Sequence, residues 1–229
     1  MKTTPKPHVP DAPGCRKSLP CAGSLLTIVC SIVLSVGLTG CSFLKPAKYT
    51  ARYYVLTPVA ATQTGPGSLA VGLGQVKLPA YLFNASLAIR KGTNEIDYLH
   101  SALWAEHLDA GFQRVLAADL ATDLPTDQIR LSAWQQNDVA VEVYVTIEQF
   151  DVDAGGRGML IARWRILSPG GEKVLKAGGS RLVREGPAPD AGASGAVSTL
   201  SGLVADFSRQ LAQALKETPL ASPGRPMSP

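Results

Sequence analysis

The 229-residue sequence is poor in the residues that build metal, redox and catalytic sites. It contains only three histidines and four cysteines, and three of the cysteines (Cys15, Cys21 and Cys30) lie in the first 40 residues. Beyond residue 40, Cys41 is the sole cysteine. That part of the chain can therefore form no intramolecular disulfide and no Cys-based metal site, and its stability must come from a hydrophobic core.

The common catalytic and nucleotide-binding motifs are also missing. Gly72-Leu73-Gly74 lacks the third glycine and the following helix of a dinucleotide-binding loop. Gly192-Ala193-Ser194-Gly195 lacks the spacing of a nucleophile elbow. His100 and His107 alone do not supply the three or four converging ligands of a metal site. We therefore predict no catalytic residue, no cofactor and no metal, and expect both histidines at the surface or at a helix start.

The chain has almost no net charge once the N-terminal segment is set aside. The chain has 22 Lys and Arg and 18 Asp and Glu residues, and the first 40 residues hold four of the basic ones and Asp11. The remainder carries 18 basic and 17 acidic residues, a net charge of +1. Nucleic-acid-binding proteins present a clustered basic surface, and no Lys/Arg run remains here. The sequence predicts no nucleic-acid partner.

One apolar run, Leu25 to Leu38, stands near the N terminus. Its 14 residues follow Arg16-Lys17 and lead into Leu38-Thr39-Gly40-Cys41. The length fits the roughly 7–15 residues of a signal-peptide core, whereas a membrane-spanning helix needs about 20. We predict a bacterial lipoprotein signal peptide that is cleaved between Gly40 and Cys41, with lipid attached to Cys41. The alternative is an uncleaved anchor helix, because the run counted from Ala22 has 17 residues.

These features divide the chain into four parts. Residues 1–40 form the predicted signal peptide, 41–51 a lipidated tether, and 52–217 a single folded domain. Residues 218–229 contain four prolines and little that could pack, so we predict a disordered tail.

Alternating apolar residues predict a series of strands. The clearest strand runs from Val139 to Val152; its apolar phase changes near Glu148-Gln149, which predicts a β-bulge there. Asp151 and Asp153 are expected to be solvated near the following turn. The other predicted strands are 52–56, 69–78, a hairpin of 87–90 with 95–99, 129–134, and two strands after the Gly-rich turns that continue to Arg184 as an antiparallel meander.

Two amphipathic helices are predicted, one from Leu103 to Ala121 and one from Val197 to Glu217. The polar face of the first is expected to carry Gln113 and Asp119, among others. Both apolar stripes are best buried on one face of the sheet. The fold class is therefore α+β, a mostly antiparallel or mixed sheet covered by two helices. A parallel crossover from the second strand through the first helix to Ile129 favours a mixed sheet.

Three tryptophans fall in different settings. Trp164 lies on the apolar face of its strand and is predicted to be core. Trp104 precedes the first helix and is expected to pack at its start. Trp134 lies in a loop-like stretch before Gln135-Gln136-Asn137, and it is our candidate for an exposed partner contact.

The order of these motifs resembles a known family. Arg52-Tyr53-Tyr54-Val55-Leu56 follows the lipoprotein motif, Pro79-Ala80-Tyr81-Leu82 follows the second strand, and Leu103-Trp104-Ala105-Glu106-His107-Leu108 precedes the helix ending in Val115-Leu116-Ala117-Ala118-Asp119-Leu120. With the 139–152 strand, this series is similar to the ABC-type transport auxiliary lipoproteins, the PqiC-like subunits of membrane-integrity transport systems. The resemblance covers roughly residues 52 to 217.

The resemblance implies a non-enzymatic accessory subunit that works with MCE-domain proteins and ABC transporter components in lipid transport. ATP hydrolysis would then belong to a separate subunit. Ser42 stands where an aspartate typically retains lipoproteins in the inner membrane, so we expect the periplasmic face of the outer membrane. A homo-oligomer would suit a hollow partner. The alternatives are an envelope assembly lipoprotein without a transport role and a lipoprotein hydrolase, which would need residues such as Glu106 and His107.

Overall fold

A mixed sheet of eight strands and two long helices make up the described part of the chain. The structure is a computed structural model that describes residues 50–59, 69–124, 126–131, 133–135, 138–189 and 192–219. The predicted signal peptide, Cys41 and the last ten residues lie outside the described residues.

The strands are β1 Arg52–Tyr54, β2 Val71–Leu73, β3 Ser86–Arg90, β4 Ile96–Trp104, β5 Ile129–Leu131, β6 Val141–Asp153, β7 Gly158–Leu167 and β8 Val174–Arg184. The helices are α1 Leu108–Asp123 and α2 Ala193–Lys216, and short 3₁₀ turns occur at Ala80–Phe83 and Pro169–Gly171.

Strand β6 organises the sheet. One edge of β6 pairs in parallel with β2 at its start and with β3 at its end, and its other edge pairs antiparallel with β7, which in turn pairs with β8. The remaining strands extend the sheet: β5 lies parallel to β2, β4 antiparallel to β3, and β1 parallel to β4. The α+β class, the antiparallel meander from β6 to β8 and the parallel β2–β5 pair confirm the sequence predictions.

The predicted bulge in β6 is present. Ile147 pairs with Ala162 and Gln149 with Ile161, which leaves Glu148 as the extra residue. Before the bulge, Val145 and Ile147 point to the helices; after it, Phe150 and Val152 do so. The bulge thus keeps apolar side chains on one face of a strand whose sequence changes phase.

Both helices cover the same face of the sheet. Phe112 of α1 meets Phe150 of β6 edge-to-face, with ring centroids 5.1 Å apart, and it lies 6.5 Å from Phe207 of α2. Trp164 is buried on this face, as predicted, and its indole donates a hydrogen bond to Ser180 at 3.2 Å. These aromatic rings join the two helices and the sheet in one core.

The helix starts differ from the sequence predictions. β4 continues to Trp104, and α1 begins only at Leu108, so the prediction of a helix start at Leu103 is wrong. The α2 helix begins at Ala193, four residues before the predicted Val197. Neither helix has a side-chain N-cap hydrogen bond, so the usual Ser/Thr/Asp/Asn start signal is absent from the sequence at both points.

Candidate functional site

The face of the sheet opposite the helices carries polar and aromatic side chains. In β6, residues that alternate with the buried apolar ones point to this side, and their partners in β7, β8 and β2 follow by register. We call this surface the open face and define it by Lys77, Arg130, Trp134, Glu142, Tyr144, Thr146, Glu148, Arg163, Arg165 and Arg181.

A buried carboxylate fixes the aromatic part of the open face. Glu142 is 5% exposed. Its Oε1 accepts hydrogen bonds from Trp134 Nε1 at 3.3 Å and from the Gly170 N–H at 2.9 Å, and its Oε2 accepts one from the Tyr144 hydroxyl at 3.0 Å. Burial and the neighbouring Glu142 carboxylate raise the pKa of Tyr144. Hydrogen bonds to this one carboxylate hold the Trp134 and Tyr144 side chains in fixed orientations.

Two glycines allow these aromatic rings to lie against the sheet. A Cβ on Gly72 would stand 2.6 Å from the Trp134 ring, and one on Gly74 would stand 2.7 Å from the Tyr144 ring. The Gly72-Leu73-Gly74 sequence therefore serves close packing, while Leu73 between them faces the core.

The open face is predominantly basic. Its defining residues include five cations, Lys77, Arg130, Arg163, Arg165 and Arg181, against two carboxylates, Glu142 and Glu148. Beyond the bulge the same side of the sheet carries Asp151, which is paired with Arg90, and Asp153. Glu148 pairs with Arg163 at 2.5 Å. The other four cations are exposed and form no ion pair with any residue that the structure describes. Sequence reasoning missed this surface, because each strand contributes only one or two cations and no run of Lys or Arg marks them.

A second polar cluster joins β3 to β6. Asp151 is 2% exposed, so the prediction that it is solvated is wrong. Arg90 contacts it through Nη2 at 2.6 Å and Nε at 3.0 Å, the Tyr81 hydroxyl donates to it at 2.8 Å, and Gln149 donates at 2.9 Å. Burial, more than the adjacent carboxylate, raises the pKa of Tyr81 to about 12. These partners satisfy the buried charge, which gives the cluster a structural role.

Asp153 caps its own turn by accepting hydrogen bonds from the N–H groups of Gly155 and Arg157.

The segment after β1 crosses the two helices. We call residues 55–59 the strap. Arg114 of α1 donates to the Leu56 carbonyl at 3.0 Å, Ser201 Oγ of α2 accepts from the Thr57 N–H at 3.2 Å, and Asp119 Oδ1 of α1 accepts from the Val59 N–H at 3.1 Å. The prediction that Asp119 and Gln113 lie on an exposed polar face is wrong: the strap covers Asp119, and Gln113 is buried and donates to the Leu73 and Gly74 carbonyls.

Asp119 is incompletely satisfied. Its Oδ2 is buried and has no hydrogen-bond partner among the described residues. The pKa of Asp119 is raised to about 6, mainly by burial and also by the nearby Asp123, while the Val59 N–H and Arg209 oppose the shift. The group therefore carries a charge in the folded protein at a cost that depends on pH.

The remaining residues singled out from the sequence are dispersed. Gly40 and Cys41 lie outside the described residues. His100 in β4 and His107 before α1 are both exposed, as expected. Trp104, in β4 and not in a helix-start position, lines a surface hollow of about 260 Å³ together with Phe83, Glu106 and His107. Glu106 is bound to Arg114 at 2.5 Å. In the described ranges, no group of three His, Cys, Asp or Glu side chains is arranged to hold a metal ion.

Neither helix of the described part of the chain combines the length and apolar composition that crossing a bilayer requires.

Comparison with known proteins identifies the family. Among curated proteins, none matches the sequence significantly. A Xanthomonas campestris protein of the DUF330 family has a similar structure, with a TM-score of 0.60, 11% identity, and coverage of 72% of this chain and 94% of that one. A further structure, of an uncharacterised protein, gives a TM-score of 0.57 at 20% identity and covers 72% of this chain and 99% of that one. These two similarities establish a shared fold.

The sequence profile of one family matches residues 54–212, which is more than half of the chain. Its span includes all the strands from β2 to β8, helix α1, most of α2 and every residue of the open face. The chain belongs to the family of ABC-type transport auxiliary lipoprotein components.

Proposed function

We propose that the protein is a lipid-anchored, non-catalytic docking subunit of an MCE/ABC-type system that transports lipids or other apolar solutes. The observation that carries this proposal is the family match over residues 54–212. A transport auxiliary subunit needs a binding surface and no chemistry of its own, and the open face offers ordered aromatic and basic side chains on a rigid sheet. Trp134, at the centre of that arrangement, remains our candidate for a partner contact.

The anchor favours a fixed position at a membrane. A single acyl chain holds a protein only marginally, while two or more give stable attachment, and a processed lipoprotein carries two or three. The stretch from Ser42 to Ala51 reaches at most about 35 Å at ~3.5 Å per residue. The domain would stay close to its membrane, and a long partner would have to extend to it. Ser42 after the lipidated cysteine supports the periplasmic face of the outer membrane.

Co-purification from native membranes tests the proposal. The full chain, tagged at its C terminus and expressed in its own host, should recover an MCE-domain protein or an ABC transporter subunit, identified by mass spectrometry. An unrelated outer-membrane lipoprotein with the same tag serves as the control. Recovery of no transport component would contradict the proposal and favour the envelope assembly alternative. Hydrolytic turnover on envelope polymers that disappears in Glu106 or His107 variants would favour the hydrolase alternative.

A further inference from the structure

We propose that the open face is the docking surface and that it binds an acidic surface of a protein partner in the transport system. This inference rests on the function proposed above and adds the location and the chemistry of the contact.

The positive charge of the open face determines the sign of the charge that a partner surface must carry. Four cations, Lys77, Arg130, Arg165 and Arg181, have no counter-ion among the described residues, and Arg163 has one. These cations lie on four strand segments: β5, β7, β8 and the segment of Lys77 that pairs with β6. Neighbouring segments of a sheet are about 4.8 Å apart, so the fields of the cations add. A partner with the same sign of charge would be repelled, and carboxylates placed opposite these cations would be attracted and oriented.

The composition of the face favours a protein over a lipid surface. Four of the five cations are arginines, whose planar guanidinium groups bind carboxylates through paired hydrogen bonds. Arg165 lies opposite Tyr144 in the β6–β7 pair, and Arg130 lies opposite Gly72, against which Trp134 packs. Trp, Tyr and Arg are the residues most enriched at the energetic centres of protein interfaces. Binding to an anionic bilayer depends on accumulated charge and requires no ordered aromatic side chains.

The aromatic residues are ordered before any partner arrives. Glu142 holds both side chains by hydrogen bonds at 3.0 and 3.3 Å, and Gly72 and Gly74 let the rings lie on the backbone. Side chains that are already fixed lose little conformational entropy on association. Glu142 itself is buried and accepts three hydrogen bonds from within the protein, so its charge is directed at the face's own donors and away from a partner.

Charge reversal at one position of the face is the direct test. In the full chain, Arg165→Glu should lower co-purification of the MCE-domain or ABC component by about tenfold or more, equivalent to about 1.4 kcal/mol. Arg181→Glu should act in the same direction. Lys216→Glu is the matched control: Lys216 is exposed on α2, on the helix side of the molecule, and the change in charge is the same. Capture by the control should stay within twofold of the wild type. Thermal unfolding of each variant verifies that the fold is retained.

The outcomes separate this inference from the proposed function. If the wild type and both face variants capture the transport component equally, the open face is not the docking surface, and the proposed function stands. If the wild type captures none, the proposed function fails, and the inference fails with it. Greater capture at low salt than at high salt is a further expected result, because salt screens contacts between charges.

A membrane as the occupant of the face is tested separately. Thr146→Cys, exposed at the centre of the face, is labelled with an environment-sensitive dye in the anchored full chain. The vesicles are phosphatidylcholine with or without phosphatidylglycerol. An unchanged emission spectrum agrees with a protein partner. A blue shift that requires phosphatidylglycerol would overturn the inference, because it would place the face on the lipid headgroups.

Discussion

At the scale of single residues, the structure assigns physical roles to positions whose sequence context is ambiguous. Helical spacing alone places Asp119 and Gln113 on a solvated helix face. Their burial follows from contacts with the strap and with β2, which lie 60 and about 40 residues away in the chain. Similarly, Asp151 accepts hydrogen bonds from Arg90 and Tyr81, which are 61 and 70 residues away in the chain. Local sequence patterns carry no information on such distant partners.

Asp119→Asn should stabilise the protein at neutral pH. The pKa of Asp119 is raised in the folded state, from an ordinary 3.8 to about 6. The charged carboxylate therefore opposes folding fully above about pH 6 and not at all below about pH 4. At about 1.4 kcal/mol per pKa unit, the cost is at most about 3 kcal/mol. Asparagine keeps an oxygen acceptor for the Val59 N–H, so we expect the free energy of unfolding to rise by about 1–3 kcal/mol at pH 7.5.

Urea unfolding across pH 4 to 8 measures this effect. The difference between the variant and the wild type should disappear towards pH 4. Asp127→Asn, at an exposed position, is the control and should give a small, constant difference. A difference for Asp119→Asn that is independent of pH would mean that Asp119 does not titrate in this range.

Gly72→Ala should displace Trp134. The added methyl group would stand 2.6 Å from the indole ring, and relieving such an overlap costs about 1–3 kcal/mol. Urea unfolding measures the loss, and a change in tryptophan emission reports the moved ring. Gly92→Ala is the matched control, because no atom lies within 4 Å of its added methyl group. Equal stabilities of the two variants would show that the indole does not rest on Gly72.

At the scale of the secondary-structure elements, packing of α1 onto β6 is the central contact of the core. Phe112→Ala should reduce the free energy of unfolding by about 3–5 kcal/mol, because Phe112 is fully buried between Phe150 and Phe207. Phe83→Ala makes the same change at a side chain that is 59% exposed and should cost less than about 1 kcal/mol. A loss below about 1 kcal/mol for Phe112→Ala would show that Phe112 is not on the face of α1 that packs against the sheet.

Elements whose apolar residues recur at a regular spacing were predictable from the sequence. The alternation in β6 and the β3–β4 hairpin were predicted, and so was the bulge, because side-chain phase is a local property of a strand. The helix starts were not predictable. The last residues of β4 share their apolar spacing with α1. The first turn of α2 is built from small residues, and although Ala193 and Ala196 are buried, they give only a weak apolar signal in the sequence. The basic open face depends on strand pairing, so it could not be predicted either.

At the scale of the whole molecule, attachment and folding should be separable. Cys41→Ala should leave the thermal unfolding midpoint unchanged and move the protein from the membrane fraction to the soluble fraction, because the predicted acyl chains attach only at Cys41. Cell fractionation and thermal unfolding of the released protein measure both quantities. Cys30→Ala, inside the predicted signal peptide, is the matched control and should remain membrane-bound.

Retention of the Cys41→Ala protein in the membrane fraction would favour the uncleaved anchor helix over lipidation. Intact-mass measurement of the wild type distinguishes the two directly, since the lipidated chain begins at residue 41 and carries the added mass of its acyl groups.

The bulge at Glu148 limits how the length of this chain can change during evolution. Because Glu148 is an extra residue between the two halves of β6, its deletion would give a regular strand in which Phe150 and Val152 still face the helices. Insertion or deletion of one residue elsewhere in β6 would instead turn the side chains on one side of the change to the opposite face of the sheet. Gain or loss of one residue within β6 but outside the bulge should therefore be selected against. Paired insertions, or changes in the turns on either side, would preserve the inside and outside of the sheet.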